Sequence, residues 1–237
     1  MARELLFYGS GFFLIQIAGA VVFSSDNVVV SHYLGAVQVT PYNVTWRFVG
    51  LDAVVQSLMF QALCPAYAEA NARGDYEWMS RTFRRMMQTT LALNFAGGVM
   101  FLTAGKHLIR WWAGQAAVPS TALLVAMALW ATIGGCMTVE SCLLAAVDRT
   151  REQGVLSIVA AAVNLALSIV LVQRIGAVGV ITGTILSYLT VVVVPQSLIV
   201  RNVFRGSKDE ALARIEKNNG LGRQCKTACE AIFPRPV

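Results

Sequence analysis

Charge is what this sequence has least of. Asp, Glu, Lys and Arg make up 14% of its 237 residues, while 56% are hydrophobic. Soluble domains carry about 25% charge, so a soluble globular chain is excluded and a polytopic membrane protein is expected. Histidine is nearly absent. His32 and His107 have no Cys or carboxylate at ligand spacing, which leaves no histidine metal centre. There is no glycine-rich phosphate loop, and no Asp-rich motif of the kind that holds a metal in membrane glycosyltransferases. The expectation is therefore no catalytic residue, no cofactor, no metal and no enzyme. Five cysteines, Cys64, Cys136, Cys142, Cys225 and Cys229, give no even framework, and Cys225 and Cys229 stand four apart with no His nearby. A short apolar region followed by a small-residue cleavage site is missing as well, so no cleaved signal peptide is expected. The net charge of +6 would suit a nucleic-acid partner. The basic residues sit in loops and tail, however, so none is expected.

What is present is a series of long apolar runs. The first span is read as about Leu5 to Leu34, after a short cytoplasmic start over Met1 to Phe7. Gly35 to Thr40 is an uncharged turn, and Pro41 opens the second span, where a missing N–H costs nothing in a first helical turn. That span runs to about Ala72, with a kink expected at Pro65. Gly74 reads as a helix stop and Asp75 as the next N-cap. From Asp75 to Gln88, Trp78, Met79, Phe83 and Met86 alternate with Arg81, Arg84 and Arg85, an interfacial lead-in to a third span over Thr89 to Gly105. Trp111 and Trp112 follow as interface anchors. The fourth, fifth and sixth spans cover about Pro119 to Val147, Gly154 to Val172 and Val178 to Val200, with a kink at Pro195. Residues 1–205 thus form a six-helix transmembrane unit, all-α, and residues 206–237 a basic cytoplasmic tail. Small residues at Gly97-Gly98, Gly134-Gly135 and Gly179-x-x-x-Gly183 suit close helix packing.

Basic residues set the orientation. Arg73, Arg81, Arg84, Arg85, Arg149, Arg151 and the tail fall on one side; only Lys106, Arg110 and Arg174 fall on the other. The positive-inside rule then puts both termini in the cytoplasm.

The informative stretch is Phe23 to Asp52, where Asp26, Arg47 and Asp52 lie within apolar sequence. Insertion scales make such charges costly by roughly 2.5–3.5 kcal/mol each. Asp26 precedes the turn by about 12 Å of helix and Arg47 follows it by about 10 Å, so an Asp26–Arg47 pair is expected. Thr45, Asp52 and Gln56 share one helix face; Gln16, Asn27 and Ser31 form a polar arc beside Asp26. These groups line a hydrated cavity for a charged or sugar-like substrate, or else the ion pair alone fixes the hairpin register. Glu140 lies about 12 Å inside the cytoplasmic face and either snorkels outward or belongs to the pathway. Asn94 and Asn164 read as interhelical hydrogen-bonding residues. The candidate pathway residues are Asp26, Asn27, Arg47, Asp52, Gln56 and Glu140.

At these residues the sequence resembles a known family. S-S-D-N-V-V-V-S-H-Y-L-G, V-T-P-Y-N-V, P-A-Y-A-E-A-x-A-R-G-D and G-A-V-G-V-I-T-G-T look like the polysaccharide and O-antigen flippases of the multidrug/oligosaccharidyl-lipid/polysaccharide exporter superfamily. The resemblance covers roughly Phe12 to Arg205. It implies a two-lobe transporter that moves lipid-linked oligosaccharide across a bacterial inner membrane by alternating access, in polysaccharide or lipopolysaccharide biosynthesis. With six helices the chain resembles one lobe, and its basic tail suggests the C-terminal one. A second six-helix lobe, an N-terminal half or a second copy, is then an expected partner beside the lipid bilayer. The resemblance also implies a cationic residue facing a lipid pyrophosphate, a role that falls to Arg47 by position. A cation-coupled multidrug exporter using Asp26 or Asp52, and a non-transporting scaffold for polysaccharide assembly, are the alternatives.

Overall fold

The computed structural model describes residues 2–205, with side chains from Gly11 onward, Phe12 excepted. The tail with Cys225 and Cys229 lies outside the described residues. Six long helices follow one another: α1 (Ala2–Leu34), α2 (Ala36–Arg73), α3 (Tyr76–Ala113), α4 (Thr121–Ala146), α5 (Thr150–Ile175) and α6 (Ala177–Tyr188), which continues through a π-helical turn, Leu189–Val193. The last helical run covers Ala177–Arg205 as a whole. Five of the six are long and apolar enough to cross a membrane. The other is α3, whose Gln88, Asn94 and threonines dilute its apolar run. The protein is an all-α, polytopic membrane protein.

The corners follow local chemistry. Gly35 (φ 83°) reverses the chain in one residue between α1 and α2. The α2 helix therefore starts at Ala36, earlier than the uncharged turn suggested. Pro41 falls inside it rather than opening it. Gly74 (φ 72°) is the left-handed C-cap of α2, and the Asp75 carboxylate accepts from the Trp78 backbone N–H at the start of α3. The lead-in and the third span are one unbroken helix. Met79 is fully buried while Arg81, Arg84 and Arg85 are exposed. At the other end of the chain, Pro195 cannot donate a backbone hydrogen bond to the turn before it. The helix widens there into the π turn instead of breaking. The expected polar start over Met1 to Phe7 is helical from Ala2.

The helices form two groups of three. The α1 helix packs chiefly on α5 and α5 on α6; α2 and α3 both pack on α4. Small residues make the first group tight. A methyl group added at Gly179 would strike the Leu171 carbonyl of α5, and one at Gly183 would come within 2.9 Å of the Ser168 backbone N. Gly97 and Gly134, by contrast, have nothing within 4 Å. One apolar cluster ties the groups together near the α1–α2 corner: Val29 and Val30 of α1, Tyr42 of α2, Met127 of α4 and Ile181 of α6. A second, around Tyr67, Met79, Leu143 and Val200, closes the opposite end. There Cys64 of α2 is bridged to Cys142 of α4, with Cα atoms 5.4 Å apart. Nothing in the cysteine spacing indicated this pair, which is separated by 78 positions.

Candidate functional site

Asp26 is 1% exposed and sits where four helices meet. The Tyr42 hydroxyl of α2 donates to one carboxylate oxygen at 3.0 Å, and Asn164 Nδ2 of α5 reaches the other at 3.4 Å. The Thr184 hydroxyl of α6 lies 3.4 Å from the Tyr42-bound oxygen. Asn164 is held in turn by Ser168, whose hydroxyl lies 3.1 Å from its Oδ1. The carboxylate thus joins both helix groups through side-chain hydrogen bonds alone.

The expected Asp26–Arg47 pair does not form. Arg47 is exposed and lines a separate groove with Phe48 and the end of α3. The physical reason is rotation. Tyr42 and Arg47 are five residues apart, about 140° around the helix. Matching depth therefore could not decide which of them faces α1. Asn164 is an interhelical hydrogen-bonding residue, as expected. Tyr42, Ser168 and Thr184 were missed; the i, i+4 spacing of Asn164 and Ser168 was the available signal.

Beside this knot lies a groove of about 340 Å³ between α1, α2 and α4. Phe23, Trp46 and Trp130 form its aromatic wall; Asp52, Gln56 and Thr138 supply polar groups. The rings make a continuous series. Phe23 and Trp46 lie 4.8 Å apart, Trp46 and Trp130 6.4 Å, and Trp130 and Tyr188 5.1 Å. Phe23 and Trp46 also line the small space of about 30 Å³ next to Asp26, with Asn27, Tyr42 and Asn43. The same two rings therefore stand between the buried acid and the open groove.

Asp52 and Gln56 do share a face, but they are partners rather than unpartnered groups: Gln56 Nε2 donates to Asp52 at 2.5 Å. Gln56 is buried over Gly135 of α4, where an added methyl would lie 2.6 Å from its Oε1 and 2.8 Å from Asn94 Nδ2. Asn27 lines the Asp26 side, and its Oδ1 is buried without a hydrogen-bond partner. Glu140 does not snorkel. It is 7% exposed, and its Oε2 is buried without a partner. Gln16 and Ser31 are exposed rather than joined to the Asp26 knot. The structure thus brings Asp26 and Asn27 together on one side of an aromatic partition and Asp52 and Gln56 on the other. Arg47 lies apart from both.

The groove can hold a guest with ring faces and hydroxyl or amide groups. Among the described residues no cluster of His, Cys, Asp and Glu could hold a metal ion.

Comparison with known proteins gives one lead. Over 107 residues, 45% of this chain, the sequence is 30% identical to a protein of Salmonella typhi whose printed name is "Putative O-antigen transporter". The matched part is 23% of that protein, so the chain spans only a small share of its relative's length. No family model matches. No solved structure matches.

Proposed function

We propose that this chain is one lobe of a polysaccharide-related membrane transporter, and that it takes part in moving a lipid-linked oligosaccharide by alternating access. The observation that carries the reading is the groove of Asp52, Gln56 and Thr138 against Phe23, Trp46 and Trp130. Polar side chains on an open face within apolar helices are costly against lipid. A sugar offers what that face asks for: apolar ring faces for the indoles and hydroxyls for the carboxylate and amide. The similarity to an O-antigen transporter of Salmonella typhi supports the same substrate class. A second lobe, either an N-terminal half or another copy, closes the groove. The setting is a bacterial inner membrane with both termini in the cytoplasm, in lipopolysaccharide or related synthesis, and no catalysis is involved. Complementation tests this. Supplied with a second lobe, the chain should restore long-chain surface polysaccharide to a strain lacking its O-antigen transporter, and Asp52→Ala should reduce it. Full restoration by the Asp52→Ala chain, present at equal level, would refute the reading.

The Asp26 knot favours a second, compatible reading, in which transport is coupled to a cation at Asp26. The hydroxyl oxygens of Tyr42 and Thr184 then stand beside the carboxylate as neutral ligands. Transport by the Asp26→Asn lobe pair should lose its response to an imposed proton or sodium gradient.

A further inference from the structure

Arg47 has no role in either pocket around the aromatic partition, and its surroundings are unlike theirs. It lines a groove of about 320 Å³ with Phe48, Leu51, Leu108, Trp111 and Trp112. Every other wall of that groove is apolar. Arg47 is exposed, and no carboxylate among the described residues pairs with it; the ion pairs there are Glu69–Arg73, Glu77–Arg81 and Arg149–Glu152. Trp111 and Trp112 are 83% and 58% exposed, in the last turn of α3 before Gly114. Trp112 stands edge-on to Phe48 at 5.8 Å, which fixes the α2 wall against the α3 end.

These facts place the guanidinium. A pair of exposed tryptophans at a helix end marks the boundary between hydrocarbon and headgroups. Arg47 shares their groove, and its long stem lets the charge reach that boundary. Depth counted from Gly35 misled here, because 38 residues of α2 span about 57 Å, well beyond a ~30 Å hydrocarbon core. An unpaired arginine above an apolar trough, flanked by indoles, complements one class of molecule. It must carry a phosphate at the interface and an acyl chain below.

We infer that the Arg47–Trp111–Trp112 groove is a binding site for an anionic bilayer phospholipid, its phosphate on the Arg47 guanidinium and one acyl chain along Phe48, Leu51 and Leu108. Basic pockets between membrane helices hold lipid headgroups by this same charge match. A charge match worth about 1 kcal/mol per basic residue corresponds to about a fivefold preference for an anionic over a neutral lipid of equal chain.

The full chain in nanodiscs tests this by tryptophan quenching. Brominated phosphatidylglycerol and brominated phosphatidylcholine are compared at the same minor fraction in unlabelled phosphatidylcholine. The Trp111 and Trp112 contribution is taken by difference from the W111F/W112F chain. Quenching by the anionic lipid should require about fivefold less brominated lipid than quenching by the neutral one. Arg47→Gln should abolish that difference, whereas Arg47→Lys should keep much of it and shows that the fold survives a change at this position. Equal quenching by the two lipids, or a preference unchanged in Arg47→Gln, overturns the inference. So does displacement of the brominated lipid by undecaprenyl pyrophosphate at equal fraction, because the groove would then belong to the carrier and not to the bilayer.

Discussion

Gly179 offers the sharpest test of how the bundle is held. Lipid tails are as apolar as the helices, so association within the membrane rests on close packing rather than on escape from water. In the α1–α5–α6 group that packing is set by backbone contact. The methyl of Gly179→Ala would meet the Leu171 carbonyl and carbon and lie 2.8 Å from the Val172 backbone N. None of these atoms can rotate away, since they belong to the α5 main chain. The helices must part locally, and overpacking of this kind costs about 1–3 kcal/mol. Alanine's better helix propensity returns up to about 1 kcal/mol. A net loss of up to roughly 2 kcal/mol remains, and contacts to main-chain atoms that cannot move put Gly179→Ala toward that upper end. On the scale of soluble domains this size, each kcal/mol corresponds to about 2–4 °C in midpoint. Gly97→Ala is the control: nothing lies within 4 Å of the new methyl, so only the propensity gain applies. Both variants are heated in detergent and the surviving folded fraction is read by size-exclusion chromatography. Gly179→Ala should melt lower than the parent and Gly97→Ala at or above it. If Gly179→Ala melts with the parent, α5 and α6 do not touch as described, and the backbone-contact argument fails.

Other predictions address the polar groups and the ends. Tyr42→Phe removes the 3.0 Å donor to Asp26 and should cost about 1.5–3 kcal/mol in denaturant unfolding if the carboxylate is ionised; a double-mutant cycle with Asp26→Asn should be strongly non-additive, and simple additivity would remove the bond from the account. On the proposed function, Gln56→Leu leaves Asp52 without its amide donor and should reduce polysaccharide export by the chain and its second lobe more than it reduces protein level, as read by surface-polysaccharide gels against immunoblots. After oxidation of isolated membranes, a protease site placed between Gly114 and Ser120 should give fragments that stay joined through Cys64 and Cys142 on a denaturing gel until reductant is added; separation without reductant would refute the pairing. On the proposed orientation, which the positive-inside rule gives, an impermeant thiol reagent outside intact cells should leave Cys225 and Cys229 unlabelled; labelling of either would overturn it.

The helices were legible because each boundary has a local cause. Gly35 and Gly74 take up positive φ, Asp75 caps α3, and the long apolar runs fix where the helices between such corners lie. What local reading missed are effects of geometry beyond one residue's own chemistry. Pro41 looked like a helix start because proline suits a first turn, but the one-residue reversal at Gly35 had already begun α2. Gly179-x-x-x-Gly183 and Gly97-Gly98 look alike in sequence. Only the former meets another backbone, since small residues permit close approach without requiring it.

The site was half legible for a related reason. Composition shows that buried polar groups exist, and counting along a helix gives their depth. Neither gives the rotation of one helix against its neighbour, and partners are chosen by rotation. Asp26 and Arg47 matched in depth and sign, yet the acid is met by Tyr42, Asn164 and Thr184, three neutral donors from three helices. That choice divides the polar residues. A carboxylate held by neutral groups remains free to respond to a cation, whereas one neutralised by arginine would not. An arginine that meets no acid among the described residues is open to a phosphate. The Phe23–Trp46 pair then gains its meaning from position: it stands between the acid that can respond and the groove that can hold a guest. Removing the larger ring should connect the two spaces. In Trp46→Ala, Asp26 should therefore become reactive toward a water-soluble carbodiimide that leaves the parent protein unmodified, as read by peptide mass. If Asp26 stays unmodified in that variant while Asp52 reacts in both proteins, the rings are not the partition.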